Sequence, residues 1–292
     1  METPVIRLAS ALLAGGLAFL AFTGFPPPGI GPDVARQVEA TRQMTAAART
    51  NIERGEFALA LPPAEKLHKL YPENHIYIEQ LATVYNGLHR FHDEGEMWEQ
   101  FLLHAPVPIE GCPQVGVAWR KDGQTSKALD SLKRCLAIEP NNPDVLYQLG
   151  YTSEHADPAT SASYYREGLK HQPTNPDLIL GLGRIGLNQG RAREATADAS
   201  RVLSRNPDNP DAMLLSGLAL SRLDRLAEAR QILERGASQY PAYVDILLAL
   251  ANLAERRHDT TAAIEYYEKV VRLDAENREA SFHLERLRSL KK

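Results

Sequence analysis

The apolar positions of this chain fall in short runs that stop and restart at fixed intervals. In "IEPNNPDVLYQLG", Ile138 to Gly150, one run ends at Pro140 and the next begins directly after Pro143. "TNPDLILGLG" from Thr174 and "DNPDAMLLSG" from Asp208 repeat the arrangement. Prolines recur at Pro72, Pro106, Pro140, Pro173, Pro207 and Pro241, at intervals of 34, 34, 33, 34 and 34 residues. A period of this size marks an array of stacked helical units, and it takes precedence over any local reading. Each of these prolines ends a helix, because it has no N–H for the ladder. Asn142, Asn175 and Asn209 then serve as N-caps. Pro143, Pro176 and Pro210 follow at the first helical position, where the missing N–H costs nothing. Asp144, Asp177 and Asp211 place negative charge on the positive end of the helix dipole.

A second break divides each unit into two helices. Gly55, Gly123 and Gly190 lie midway, and Ala60, Ala128, Ala195, Ala229 and Ala263 recur just after the break. Gly116, Gly150, Gly183, Gly217 and Ala251 recur in the first helices, which predicts a close antiparallel approach of small residues. Leu81, Leu149, Leu182 and Leu250 fill the rest of the seam from the first helices, and Tyr165, Leu233 and Tyr267 from the second.

Period, glycine, alanine and proline agree repeatedly, as in "VAWRKDGQTSKALDSLKRCLAIEPNNPD", and together they resemble the tetratricopeptide repeat (TPR) family. The resemblance implies an all-α, right-handed α-solenoid of about seven antiparallel helix pairs. The units span 41–74, 75–108, 109–142, 143–175, 176–209, 210–243 and 244–277, with a capping helix over 278–292. Some units depart from the pattern. Pro62 and Pro63 are expected to shorten the second helix of the first unit, and Glu94 and Gly95 replace the small alanine of the second. Three prolines delay the first helix of the third unit to near Pro113, so the weakest stacking is expected at 104–113. The fourth unit lacks the middle glycine, and Ala275 replaces the proline of the last.

The first 40 residues read differently. "LASALLAGGLAFLAFTGF", Leu8 to Phe25, is uncharged and follows Arg7, so 1–25 is a signal peptide or a membrane anchor. Gly16-Leu17-Ala18 comes too early for a cleavage site and Pro32 follows Gly31, which favours the anchor. The lone Arg7 orients the N-terminus inside and the repeats on the periplasmic or extracellular side. The Pro-rich stretch 26–40 reads as an extended spacer and lead-in.

The 292 residues carry a net charge of −4, which argues against a nucleic-acid partner. "GLGRIG" matches a dinucleotide fingerprint, but Gly181, Gly183 and Gly186 fall inside a predicted helix instead of after a strand. "HRFHDEGE" offers His89 and His92 beside carboxylates, which reads as a solvated turn before it reads as a metal site. No catalytic motif and no cofactor or metal site stands out, so the chain is read as a non-enzyme. Cys112 and Cys135 lie at the start of one helix and late in the next. In an exported chain that placement suggests a disulfide, and two small buried residues are the alternative.

By the resemblance, the first helices line a groove with Tyr147, Tyr151, Leu180, Arg184, Leu187, Leu214, Leu218 and Leu248: an apolar stripe with one cation. Thr45, Glu79, Pro113, Tyr147 and leucines stand where the family's clamp for acidic tails has lysine, so that clamp is not reproduced. The partner expected is a protein or peptide with apolar anchors, and the membrane is touched only through the N-terminal segment. Self-covering of the groove by the spacer or the cap helix is the competing reading. A second functional reading is a recruiting subunit of an enzyme complex for glycosyl transfer or protein maturation, with the catalytic part on another chain.

Overall fold

A computed structural model describes residues 32–290. The apolar segment 8–25 and the Pro-rich stretch through residue 31 lie outside the described residues. The described chain is helical apart from turns, and it divides into two compact units at the Ile138/Glu139 boundary.

Unit one holds α1 (Pro32–Glu53), α2 (Phe57–Leu70), α3 (His75–Gly87), α4 (Phe91–His104), α5 (Cys112–Lys121) and α6 (Thr125–Ile138). Unit two holds α7 (Pro143–Ser153), α8 (Pro158–His171), α9 (Pro176–Asn188), α10 (Ala192–Leu203), α11 (Pro210–Arg222), α12 (Leu226–Gln239), α13 (Val244–Arg256), α14 (Thr260–Leu273) and α15 (Arg278–Leu290). Within each unit consecutive helices pack as pairs, and each pair packs on the next, as in an α-solenoid.

The punctuation works as its chemistry requires. The side chain of Asn142 accepts from the N–H groups of Asp144 and Val145, and Asn175 accepts from those of Asp177 and Leu178. Asn209 accepts from the N–H of Ala212, and Asn277 caps α15 through Ala280. Helices stop at Leu70, His104, Ile138, His171 and Gln239, shortly before the recurring prolines. The mid-unit break places Gly55, Gly123 and Gly190 at φ +72°, +77° and +80°. His89, Asp224 and His258 hold the same left-handed turn in other units, at φ 56°, 61° and 59°. There the turn forms without glycine, at the cost a Cβ imposes on that conformation.

Several expectations are corrected. Pro62 and Pro63 do not shorten α2; both lie inside it. Buried Ala60, Ala64 and Leu67 hold that helix in the core, which outweighs two missing ladder bonds. α1 starts at Pro32, so residues 32–40 are helix instead of spacer. Pro32 suits a first helical position, and Asp33 adds an acid to the first turn. The division into compact units does not fall at 104–113. A 3-10 turn, Pro108–Gly111, packs there between α4 and α5, with buried Gly111 against Phe101 and Leu102.

The small residues of the first helices leave space for side chains of the partner helix. A Cβ on Gly150 would lie 2.4 Å from the ring of Tyr165, and one on Gly217 would lie 2.4 Å from Leu233. The absent Cβ therefore admits a large side chain of the partner helix, and Tyr165 and Leu233 are fully buried there. At the alanine position of the second unit Glu94 stays buried, one oxygen accepting from Asn86 at 2.7 Å. Neighbouring Gly95 makes room for the ring of Trp119.

Candidate partner-binding face

The first helices of unit two, α7, α9, α11 and α13, with α15 after them, carry the residues of interest. On α7, Tyr147 is half-buried, its ring 6.0 Å from Tyr151 and 6.0 Å from Tyr165. Tyr151 is 39% exposed. Arg184 comes from α9, one unit on, and its guanidinium lies 5.3 Å from the centre of the Tyr151 ring.

Arg184 is already paired. Its guanidinium donates to Glu154 Oε1 at 2.8 Å, and the Tyr165 hydroxyl donates to the same oxygen at 2.7 Å. Burial alone would lower the Arg184 pKa, but the hydrogen bond and the charge of Glu154 raise it instead. Burial first, and then the Glu154 charge, push the Tyr165 hydroxyl well above its ordinary range. The one cation expected in the groove is thus committed within the fold. Arg184 ties α9 to the α7–α8 pair and lies against the ring of Tyr151.

The same device recurs three units later. The Tyr267 hydroxyl donates to Glu255 Oε1 at 2.8 Å, and Arg286 and His283 of α15 pair with the same carboxylate. Sequence reasoning missed Glu154 and Glu255. The available signal was their shared place at the end of the first helix, each with a tyrosine on the second helix and an arginine on the following first helix.

The leucines separate into two groups. Leu218 is 38% exposed, while Leu214 and Leu248 are half-buried. Leu180 and Leu187, expected in the groove, are core residues that pack with Ala192, Ala195 and Leu215. A Cβ on Gly181 would meet the Tyr165 ring and one on Gly183 would meet Leu215, so these two glycines leave room for larger neighbours. Phe282 on α15, 66% exposed, was not anticipated.

Comparisons with known proteins point one way. Residues 186–285 match the family model described as "Psidin, N-terminal TPR repeats region". "Tetratricopeptide repeat protein 8" of Caenorhabditis elegans is 20% identical over 167 residues, which are 56% of this chain. The chain spans only 33% of that relative's length. A tetratricopeptide repeat protein from Parabacteroides merdae superposes with a TM-score of 0.72 at 12% identity, covering 85% of this chain and 99% of that one. The APC/C hetero-tetramer Cut9–Hcn1 gives a TM-score of 0.65 at 14% identity, over 97% of this chain and 54% of that one.

The fold is that of a tetratricopeptide repeat array. TPR proteins generally mediate protein–protein interactions, and an exposed face on the first helices is where such an array can present variable residues on a constant frame. The TPR frame also accounts for the "GLGRIG" glycines, all three of which lie within α9. His89 holds a left-handed turn, and His92 bonds Asp122 at 3.0 Å beside the Trp119 ring. Among the described residues no group of histidine, cysteine or carboxylate side chains is arranged to hold a metal.

Cys112 and Cys135 belong to unit one. Their Cα atoms are 5.9 Å apart, and the sulfurs are joined as a disulfide between the start of α5 and the late part of α6. Both side chains are fully buried. No described helix is long and apolar enough to cross a membrane.

Proposed function

We propose that this chain is a non-catalytic scaffold that docks a protein or peptide partner through apolar anchors on the first helices of unit two. The observation that carries the reading is the row of exposed rings and aliphatic groups on that face: Tyr151, Leu218 and, on α15, Phe282. Exposed apolar groups in a row on a packed frame mark partner sites. Tyr151 lies against Arg184, and an aromatic restricted before binding loses little entropy when it docks. The hetero-tetrameric assembly of the similar Cut9–Hcn1 structure is in keeping with this role. The uncharged segment at 8–25 supports a place at or beyond a membrane, reached through the N-terminal segment alone.

The test is partner capture by tagged full-length chain from a membrane fraction. Tyr151→Ala and Leu218→Asp should each weaken capture by more than about 1 kcal/mol, with helicity unchanged. Arg230→Ala, on an exposed residue already paired with Glu234, should leave capture as it is. Equal capture by all three variants would remove this face as the docking surface.

A further inference from the structure

The chemistry of the partner can be read one step further, granted the docking reading above. The second residue of every first helix in unit two is an acid: Asp144 on α7, Asp177 on α9, Asp211 on α11, Asp245 on α13 and Glu279 on α15. All five are exposed. Helix-dipole stabilisation accounts for an acid at any one of these places. It does not account for their remaining without cations along a shared face. Asn142, Asn175, Asn209 and Asn277 already satisfy the first N–H groups of four of the helices.

The carboxylates lie close enough to act on one another. Partial burial raises the Asp177 pKa, and the charges of Asp211 and Asp144 raise it further, against the opposing pull of Arg184. Partial burial, Asp211 and Glu279 do the same to Asp245. The helices that carry these acids also pack side by side, α7 on α9, α9 on α11 and α11 on α13, with α15 following, so the acids stand in a row at the starts of consecutive first helices. Among the described residues none of the five forms an ion pair. The Tyr243 hydroxyl donates to Asp211 and Asn252 donates to Glu279 at 3.4 Å, but neither donor brings charge. Arg184, whose charge reaches Asp177, is committed to Glu154, and Arg286 of α15 is committed to Glu255.

The apolar anchors flank this row. Tyr147 and Tyr151 follow Asp144 by three and seven residues, and Leu214 and Leu218 follow Asp211 by the same steps. Those steps return to one side of a helix, so acid and anchor share a face. We propose that this face docks a cationic amphipathic protein segment, whose apolar stripe meets Tyr151, Leu218 and Phe282 and whose lysines or arginines meet the acidic row. An acidic tail would be repelled here, as would a nucleic-acid backbone. The acids are spread over five helices and form no cluster suited to a metal ion.

The experiment is selection of a random phage-displayed peptide library on the full-length chain. The best peptide is then measured by fluorescence anisotropy against parent, Leu218→Asp and the triple variant Asp177→Asn, Asp211→Asn, Asp245→Asn. The pool should be enriched in lysine and arginine alternating with apolar residues. Its affinity for the parent should fall about tenfold between low and high salt. The triple variant should bind at least about fivefold more weakly. The salt series uses the parent alone, so it stands even if the triple variant folds poorly. A pool that is sensitive to Leu218→Asp but uncharged or acidic, and indifferent to salt, overturns the cationic partner and leaves the docking face. A pool insensitive to Leu218→Asp, or no enriched pool at all, overturns both.

Discussion

Glu154→Ala removes one carboxylate and strands two donors at once. The Arg184 guanidinium loses a charge-assisted bond of 2.8 Å, and the Tyr165 hydroxyl loses its 2.7 Å acceptor. A hydrogen bond to a charged group contributes about 1.5–3 kcal/mol, and a buried donor left without a partner costs about 1–3 kcal/mol. Simple addition overstates the loss. The Arg184 side chain is 31% exposed, so water recovers part of its hydration. Arg184 also keeps its 3.4 Å contact with the Tyr165 hydroxyl. A loss of about 2–3 kcal/mol from unit two is therefore expected. Glu154→Gln retains a neutral acceptor for Tyr165 and should lose about 1 kcal/mol. Urea unfolding followed by circular dichroism measures both, fitted with a nearest-neighbour repeat scheme because arrays need not unfold in one step. A double-mutant cycle with Arg184→Ala isolates the pair, with a coupling of about 1–2 kcal/mol expected. If Glu154→Ala changes stability by less than about 0.5 kcal/mol, the carboxylate does not organise this face.

Three more outcomes are expected. Gly150→Ala places a methyl 2.4 Å from the buried Tyr165 ring and should lower stability by about 1–3 kcal/mol in the same urea assay. Glu255 has a folded-state pKa below the ordinary 4.5, because hydrogen bonds from Tyr267, His283 and Arg286 and the Arg286 charge overcome the opposing effect of burial. Its contribution is present above that ordinary value and is lost as pH falls through the folded pKa, so the stability gap between parent and Glu255→Gln should close on acidification. The Cys112–Cys135 bridge spans 23 residues, and Cys135→Ala should cost unit one about 3 kcal/mol under oxidising conditions. Non-reducing mass analysis of the parent should show one intramolecular bridge.

Much of the fold was legible because repeat punctuation is local. Proline, the NPD caps and the alternation of small and large seam residues each act over a few residues, and the period repeats them. The left-handed mid-unit turn was visible only where glycine occupies it, since His89, Asp224 and His258 adopt the same backbone without announcing it. The candidate face was less legible because it depends on contacts between units. Arg184 reads as a free cation along the chain, but its partner Glu154 lies thirty residues earlier, just past the end of α7. Leu180 occupies the same place in its unit as the half-buried Leu214 and Leu248, yet it is covered by its neighbours. The aspartates of the NPD motifs were legible as helix starts, while their alignment into one row needed the stacked helices. Pro62 and Pro63 show the converse, a strong local signal overruled by burial of Ala60, Ala64 and Leu67.

The docking face is tested most directly by photo-crosslinking in the organism that makes the chain. A photoreactive benzoylphenylalanine is placed at Leu218 in one strain and at Arg230 in another, both in the full-length chain. The account predicts a discrete, light-dependent protein adduct at Leu218, lost when Tyr151→Ala is added, and none at Arg230. Adducts at Arg230 with none at Leu218 would contradict it.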